Sequence, residues 1–253
     1  MFAEERHQEI LQRARENGRV DVASLAAELD VTPETVRRDL TALERAGLVR
    51  RVHGGAIAIE RLGFEPAVAA RESLLTAEKA RIAKAALAEL PDSGAIVLDA
   101  GTTTRQLADM VPTDVELTVV VNSPLLATLL ARRSNLTVMM LGGRVRGRTM
   151  AAVGDWATAA LASIHVDVAF MATNGISVER GLTTPDPNEA ATKAAMIAAA
   201  RRTVLLADHT KIGNDYFARF GDLDAVDTFI TDTGAETELV DEISEAGPRV
   251  VLA

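Results

Sequence analysis

The stretch VTPETVRRDL, residues 31–40, followed by LVRRVHGGA, residues 48–56, decides the fold of the first part of this chain. Thr32 is suited to cap a helix that begins at Pro33, where the missing N–H of proline costs nothing. Apolar residues then recur every three or four positions and leave a polar face on the other side of the helix. The pattern predicts a helix with an arginine-bearing exposed face, followed by a short hairpin.

Two further helices are predicted upstream of this stretch. Residues 4–17 have an amphipathic helical pattern, and Asp21 is suited to cap a second helix over residues 22–29. Residues 48–60 predict two strands joined by a two-residue loop at Gly54-Gly55. Three helices and a hairpin predict a winged helix-turn-helix domain over residues 1–57.

The charge distribution favours duplex DNA as the partner of this domain. The whole chain has a net charge of −9, but residues 32–53 carry five arginines against three acids, a local balance of +2. Phosphate contacts need only local cations, and aromatic residues, which stack on single-stranded bases, are only 3% of the chain. The alternative is that adjacent arginines form an ordinary solvated helix face. The candidate DNA-contacting residues are Thr35, Arg37, Arg38, Thr41, Arg50, Arg51 and His53.

After a predicted linker over residues 58–75, the pattern changes to helices that alternate with short apolar strands. Nearly continuous apolar strands predict a mostly parallel sheet with helices on both faces, and such sheets bind ligands at the carboxyl ends of their strands. The second domain is therefore predicted over residues 76–253. Its predicted strands are 95–101, 117–122, 136–143, 166–175, 203–208, 226–232 and 249–253.

A loop of sequence DAGTTT, residues 99–104, lies between a predicted strand and a predicted helix. Glycine allows close backbone approach, the helix N-terminus offers N–H groups, and the threonine hydroxyls can donate further bonds, so the loop suits a phosphate group. The alternative is an ordinary turn with threonine caps. No GK[ST] sequence follows, so a nucleoside triphosphate is not expected. The candidate ligand-binding residues here are Asp99, Gly101, Thr102, Thr103 and Thr104.

Further candidate ligand-binding residues follow other predicted strands. Glu189 and Lys193 are one helical turn apart, so they either contact a sugar and its phosphate or form a surface ion pair. Three alternating arginines either clamp a phosphate or lie on a solvated edge or a subunit contact; they are Arg144, Arg146 and Arg148. The remaining candidates at strand ends are Asn122, Gly142, Gly143, Asn174, Gly175, Asp208 and Lys211.

Several other kinds of site and location are not expected. The chain has no cysteine and its histidines lack metal-ligand spacing, so neither a metal nor a cofactor is predicted. Trp156 and Phe170 are expected in the core rather than in a ligand cage. No signal peptide and no apolar run long enough to span a membrane is present, so a soluble cytoplasmic protein is expected.

The chain resembles the DeoR family of transcriptional regulators. Arg6, the TVRRDL core at residues 35–40 and the wing sequence RRVHGG at residues 50–55 match the family's N-terminal signature. The segments LDAGTTT, LGGRVR, NG, GLTTPDPNEAATK and LADHTK follow the family's sensor domain in order, so the resemblance covers nearly the whole chain. Val121 and His209 stand where the family often has threonine and serine, at expected edges of the ligand pocket.

The resemblance implies an α/β protein in which a winged helix-turn-helix precedes a mostly parallel-sheet sensor domain similar in fold to ribose-5-phosphate isomerase. It implies a homo-oligomeric repressor of a sugar catabolism operon, controlled by a phosphorylated sugar, of which a fructose phosphate is one candidate. The alternative is a sugar-phosphate isomerase or deaminase with an incidental DNA-binding module. Such an enzyme needs a carboxylate base, for which Glu189 and Asp208 are candidates.

Overall fold

The computed structural model describes residues 3–45, 49–52, 54–58, 65 and 67–253, and the chain divides into two compact units between residues 66 and 67. The helices and strands of the first unit are α1 (Ala3–Asn17), β1 (Arg19–Asp21), α2 (Val22–Glu28), α3 (Pro33–Arg45), β2 (Val49–Val52) and β3 (Gly55–Ala58). The three predicted helices and the hairpin are confirmed. The strand β1 was not predicted, because three residues are too few to show an alternating pattern.

The helices of the first unit begin where their capping residues predict. The Asp21 carboxylate accepts hydrogen bonds from the backbone N–H groups of Ala23 and Ser24 at 2.9 and 3.0 Å. The Thr32 hydroxyl accepts from the N–H of Thr35 at 3.2 Å. The apolar faces of all three helices then meet the wing in one core, whose largest members include Ile10, Leu25, Val36, Leu40 and Leu43.

The wing is a three-stranded antiparallel sheet in the order β1-β3-β2. Val52 pairs with Gly55, so Gly55 belongs to β3, and the prediction that it lies in the loop with Gly54 was wrong. The reason is the central position of β3: a Cβ on Gly55 would overlap the carbonyl oxygen of Val20 in β1. Gly55 therefore permits a close strand contact rather than a turn.

The second unit contains seven α-helices and twelve strands in its described part. The helices are α4 (Val68–Glu72), α5 (Thr76–Ala86), α6 (Thr102–Met110), α7 (Pro124–Leu130), α8 (Asp155–Ala162), α9 (Pro187–Ala198) and α10 (Thr237–Glu245). The strands are β4 (Ser93–Leu98), β5 (Glu116–Val121), β6 (Leu136–Met140), β7 (Arg144–Arg146), β8 (Ala151–Val153), β9 (Val166–Met171), β10 (Gly175–Ser177), β11 (Gly181–Thr184), β12 (Ala200–Leu206), β13 (Ala218–Gly221), β14 (Thr228–Thr231) and β15 (Arg249–Leu252).

Seven of these strands form the predicted parallel sheet, in the order β15-β14-β12-β9-β4-β5-β6. Every pairing within it is parallel, so the carboxyl ends of the strands share one edge. One apolar cluster packs α8, α9 and α10 against one face, and a second packs α5, α6 and α7 against the other. The prediction of a parallel sheet covered on both faces is confirmed.

The short helix α4 lies within the segment predicted as a linker. Its first residue, Val68, donates a backbone hydrogen bond to the carbonyl of Arg148 at 2.8 Å. Its last residue, Glu72, pairs with Arg105 of α6 at 2.5 Å between carboxylate and guanidinium. These contacts attach α4 to the second unit.

The two large aromatic residues expected in the core differ. Phe170 in β9 is fully buried, as predicted. Trp156 is 79% exposed, so the expectation for it was wrong: α8 buries Ala157 and Leu161, and Trp156 projects from its other side. In the described part of the chain no helix combines the length and the apolar composition needed to cross a membrane.

Candidate functional site

The polar face of α3 presents exposed positive charge. Arg37 and Arg38 are exposed, on the side opposite the buried Val36 and Leu40. Arg37 forms only an exposed ion pair with Glu34 at 3.2 Å, a kind of contact that contributes a few tenths of a kcal/mol. Arg38 has no hydrogen bond or ion pair with any described residue. The guanidinium groups on this face can therefore bind a partner with little loss of existing contacts.

The next predicted DNA residues join α3 to the wing. The Thr41 hydroxyl donates to the carbonyl of Arg37 at 2.8 Å and accepts from the Arg51 guanidinium at 3.0 Å. The backbone N–H of Arg51 donates to Glu44 at 2.9 Å. Thr41 and Arg51 thus fix the wing beside the helix, whereas Arg50, in the middle of β2, is exposed.

The remaining residues predicted to contact DNA are Thr35 and His53. The Thr35 hydroxyl lies 2.9 Å from that of Thr32, so it belongs to the helix cap as well as to the half-buried edge of α3. His53 lies outside the described residues.

Asp39, in the centre of the same helix, is a buried anchor and not part of the exposed face. Its carboxylate accepts two bonds from Arg6 of α1, at 2.5 and 3.0 Å, and lies 3.0 Å from the His7 ring. Burial acts to raise the pKa of Asp39, but the bonds from Arg6 and His7 together hold that pKa below its usual value. The sequence carried a signal for this role, because Asp39 follows Val36 by three and therefore shares the apolar face.

In the second unit, Asp99 joins the carboxyl ends of three neighbouring strands. Its carboxylate accepts from the Asn122 amide at 3.2 Å, from the backbone N–H of Ala172 at 3.1 Å and from the Lys193 ammonium. Lys193 also donates to the carbonyl of Ala172 at 2.8 Å. The side chains of Asp99, Asn122 and Lys193 are buried, so Asp99 fixes the positions of the other two at the sheet edge.

The N-terminus of α6 beside Asp99 has unused hydrogen-bond donors. No side chain caps this helix, and the buried Thr102 and Thr103 have hydroxyls without a partner among the described residues. The Thr104 hydroxyl instead donates to the carbonyl of Asp99 at 2.7 Å. A Cβ on Gly101 would lie 2.8 Å from the Cβ of Ala172, so glycine is required for the close approach. Free helix N–H groups and two free hydroxyls suit a phosphate.

The helix α9 carries Glu189 and Lys193, and each is 4% exposed. They do not form the surface ion pair that was the alternative expectation, because each bonds to other groups. Glu189 pairs with Arg146 at 2.6 Å and accepts from the Thr149 hydroxyl. Arg146 also reaches Asp186 at 3.3 Å.

Asn174 is linked to Glu189 through Thr184. Its amide oxygen accepts a hydrogen bond from the Thr184 hydroxyl at 2.9 Å. Thr184 also approaches Glu189 at 3.4 Å, so Asn174 belongs to the same polar network. Of the three alternating arginines, Arg144 and Arg148 are exposed, and Arg146 is half-buried and pairs with Glu189.

Three of the predicted glycines have local structural roles or none. A Cβ on Gly143, where φ is +122°, would lie 2.6 Å from the carbonyl oxygen of Val153, so the close β7–β8 pairing requires this glycine. A Cβ on Gly175 would overlap the carbonyl of Asn214. Gly142 is exposed and has room for a side chain.

Asp208 and Lys211 follow β12 at the same sheet edge, and Lys79 of α5 accompanies them. Burial acts to raise the pKa of Asp208, but the charge of Lys211 and the bond from the Thr210 hydroxyl hold that pKa below its usual value. Lys79, which was not predicted, is 5% exposed and donates to the carbonyls of Arg71 and Leu74 at 2.5 and 2.6 Å. Burial lowers the pKa of Lys79 to about 8, although the Asp208 charge opposes the shift.

The position of Lys79 was readable in the sequence. It precedes Ile82 and Ala83 by three and four residues and therefore shares the buried face of α5. Within the described ranges, no three histidine, aspartate or glutamate side chains gather as metal ligands do.

Two family models match the chain. Residues 6–61 match the DeoR-like helix-turn-helix domain, and residues 75–233 match the DeoR C terminal sensor domain. Among curated proteins, the HTH-type transcriptional regulator GlpR of Haloferax volcanii is 38% identical over 99% of this chain and 98% of its own length. The uncharacterized HTH-type transcriptional regulator FruR of Bacillus subtilis is 34% identical over 97% and 96%. The putative aga operon transcriptional repressor of Escherichia coli O157:H7 is 30% identical over 98% and 93%.

Solved structures match part of the chain at low sequence identity. Ribose 5-phosphate isomerase A from Methanocaldococcus jannaschii covers 53% of this chain and 53% of its own, with a TM-score of 0.40 and 16% identity. The eIF2B beta subunit from Chaetomium thermophilum covers 64% of this chain and 52% of its own, with a TM-score of 0.43 and 12% identity.

Proposed function

The chain belongs to the DeoR family of transcriptional regulators, and we propose that it represses a sugar catabolism operon under the control of a phosphorylated sugar. The observation that carries the ligand class is the uncapped N-terminus of α6, where the free hydroxyls of Thr102 and Thr103 suit a phosphate. The other residues of the sheet edge, Lys193 among them, bind the sugar or hold the groups that do. Fructose phosphates are the first ligands to test.

The operator-binding surface in this proposal is the exposed face of α3 with the wing. Duplex DNA binds an exposed helix in its major groove, with cations on the adjacent phosphates. Arg38 is the foremost base- or phosphate-contacting residue, because it is exposed and has no partner among the described residues. A homo-oligomer presents two such helices about 34 Å apart to a two-fold operator in the cytoplasm.

Control by the ligand is a shift between two arrangements of the protein. A ligand changes such an equilibrium only by its difference in affinity for the two states. We propose that the phosphorylated sugar favours an arrangement of the oligomer in which the two α3 helices no longer match the operator spacing. DNA affinity then falls as the sugar phosphate accumulates.

The enzyme alternative is not favoured. The relatives reported above are named as transcriptional regulators. The two candidate bases are also poorly suited: Glu189 is held by Arg146, and the pKa of Asp208 lies below its usual value. A general base works best with a pKa near the working pH.

The test is DNA binding by the full chain to the promoter region of its own gene, measured by fluorescence anisotropy with and without fructose 1-phosphate, fructose 6-phosphate, glucose 6-phosphate and glycerol 3-phosphate. We expect at least one of these to lower the DNA affinity. In the double variant T102V/T103V, which loses both hydroxyls and little volume, DNA affinity should be unchanged and the sugar-phosphate effect about tenfold weaker or more.

Two controls accompany this experiment. Thr158→Val, on the exposed side of α8, makes the same replacement away from the sheet edge and should respond like the natural protein. Arg38→Ala should weaken DNA binding and leave sugar-phosphate binding intact. A full response in T102V/T103V would move the phosphate site away from α6, and no response to any sugar phosphate in the natural protein would refute the ligand class.

A further inference from the structure

His209 lies directly after Asp208 at the carboxyl end of β12, and its ring is held in one orientation by Asp232. The backbone N–H of His209 donates to one carboxylate oxygen of Asp232 at 2.9 Å, and the ring Nδ1 lies 2.8 Å from the other. Asp232 is 1% exposed. Because a carboxylate only accepts, Nδ1 carries a proton, and in the neutral ring Nε2 is then an acceptor.

The turn after β14 closes around this pair. The N–H of Gly234 donates to Asp232 at 3.0 Å, and a Cβ on Gly234 would lie 2.7 Å from the His209 Nδ1. The backbone therefore leaves no room for a side chain where it passes the ring. One edge of the His209 imidazole is fully engaged by Asp232 and Gly234.

The opposite edge of the ring is unused. Nε2 has no hydrogen-bond partner among the described residues, and the side chain is 22% exposed. The ring stands at the same edge of the sheet as Asp208 and the α6 N-terminus, because β12 and β4 run parallel on either side of β9. A sugar phosphate held by its phosphate at α6 would extend its hydroxyls along this edge.

We infer that His209 is a specificity-determining residue, whose Nε2 accepts a hydrogen bond from one hydroxyl of the bound sugar. This inference rests on the proposed function and names the group that reads the sugar rather than the phosphate. An acceptor at this point selects a ligand with a hydroxyl donor there, since a site built for a hydroxyl rejects analogues that lack it. A phosphate oxygen, itself an acceptor, gains nothing from Nε2.

Two substitutions separate this role from a purely structural one. The amide of His209→Asn lies where Nδ1 lies and can still donate to Asp232, but it has nothing at the Nε2 position. The longer amide of His209→Gln places an acceptor near the Nε2 position and gives up the Asp232 bond. His165→Asn is the matched control, because His165 is an exposed histidine of the same unit.

The experiment is titration calorimetry of the full chain with inorganic phosphate and with fructose 1-phosphate, fructose 6-phosphate, glucose 6-phosphate and glycerol 3-phosphate. For the sugar phosphate that the natural protein binds most tightly, we expect about tenfold weaker binding by His209→Asn and partial recovery in His209→Gln. Binding of inorganic phosphate by the two His209 variants should stay within about twofold of that of the natural protein. Binding of every ligand by His165→Asn should stay within the same range. Thermal unfolding of each variant checks that it folds.

The outcomes separate a role of His209 in sugar recognition from a purely structural role. If His209→Asn binds the sugar phosphate as the natural protein does, or if His209→Gln is the weaker of the two, His209 is a structural residue and the inference is overturned. If the natural protein binds neither the three sugar phosphates nor glycerol 3-phosphate, the proposed ligand class is refuted and the inference with it. If His209→Asn also loses inorganic phosphate, the ring acts on the phosphate site and not on the sugar.

Discussion

At the scale of single residues, buried carboxylates in this protein hold separate elements together. Asp39 is the clearest case, since it lies in the middle of α3 and faces inward to Arg6. Arg38, its neighbour in the sequence, has no partner in the described part of the chain. Adjacent residues in one helix therefore differ: Asp39 holds α3 to α1, whereas Arg38 is exposed on the proposed operator-binding surface.

The substitution Asp39→Ala should destabilise the N-terminal unit by about 3 kcal/mol, because it leaves the Arg6 guanidinium buried without a counter-charge. The measurement is urea unfolding followed by circular dichroism. Glu34→Ala, which removes an exposed partner of Arg37, is the control and should change the stability by less than about 0.5 kcal/mol. A similar small effect for both would mean that the Arg6–Asp39 pair is not a stabilising contact.

The same pair predicts a dependence on pH. The pKa of Asp39 is lowered in the folded chain, so the folded state binds its proton less readily than the unfolded state. Its contribution is therefore complete above the ordinary aspartate value of about 4 and is lost as the pH falls through the lower folded value. The difference in stability between the natural protein and Asp39→Ala should therefore shrink as the pH falls below about 4, which urea unfolding at a series of acid pH values would measure.

Residue spacing indicates which side of a helix a residue takes, but not which residue it meets. The three- and four-residue rule fits the buried positions of Lys79 and Asp39, although neither was predicted. Nothing local indicates that Lys193 meets Asp99, because the two are 94 residues apart and come together only when β4 and α9 are both in place. The prediction that Trp156 lies in the core was wrong because it rested on the hydrophobicity of tryptophan and took no account of which side of α8 faces the core.

At the scale of elements, the wing shows how one glycine sets the geometry of a sheet. Gly55 lies in the middle strand, where β1 approaches from one side and β2 from the other. The glycine pair predicted a hairpin with both glycines in its loop. Glycine serves both in turns and at close strand contacts, so the sequence alone does not tell the two uses apart. The neighbouring strand β1 explains the second glycine, and β1 itself was too short to predict.

Replacing Gly55 with alanine should therefore disturb the wing. The added methyl group overlaps the carbonyl oxygen of Val20, so we expect a loss of roughly 1–3 kcal/mol of stability in the first unit and weaker DNA binding. Anisotropy with promoter DNA and urea unfolding measure the two effects. Gly147→Ala is the matched control, because a Cβ there has no neighbour within 4 Å. Unchanged DNA affinity in Gly55→Ala would show that the wing does not contribute to binding.

At the scale of the whole molecule, each of the two units has an apolar core of its own. The first core is formed by three helices and a small sheet, and the second by helices on both faces of the parallel sheet. The change from arginine-bearing helices to apolar strands predicted a linker over residues 58–75, and the chain divides between residues 66 and 67. The attachment of α4 to the second unit could not be predicted, because it depends on the distant residues Arg105 and Arg148.

Separate cores predict separate unfolding. In scanning calorimetry we expect two transitions, and Asp39→Ala should lower the midpoint of only one of them, by about 10 °C or more for a domain of this size. Thr102→Val alters only the second unit and is the control, which should leave that midpoint unchanged. A single transition that Asp39→Ala shifts as a whole would show that the two units unfold as one.

The pairing of β4 with β9 in the centre of the parallel sheet also sets the order of events during synthesis. The hydrogen bond from Ala95 to Asp167 beside these strands joins residues 72 apart, whereas Arg6 and Asp39 are separated by 33. A ribosome therefore completes the first unit while β9 is still unmade, and at ordinary elongation rates the interval from Ala58 to Val166 lasts about 5–20 s. We expect the newborn chain to fold its helix-turn-helix domain before its sensor domain is complete.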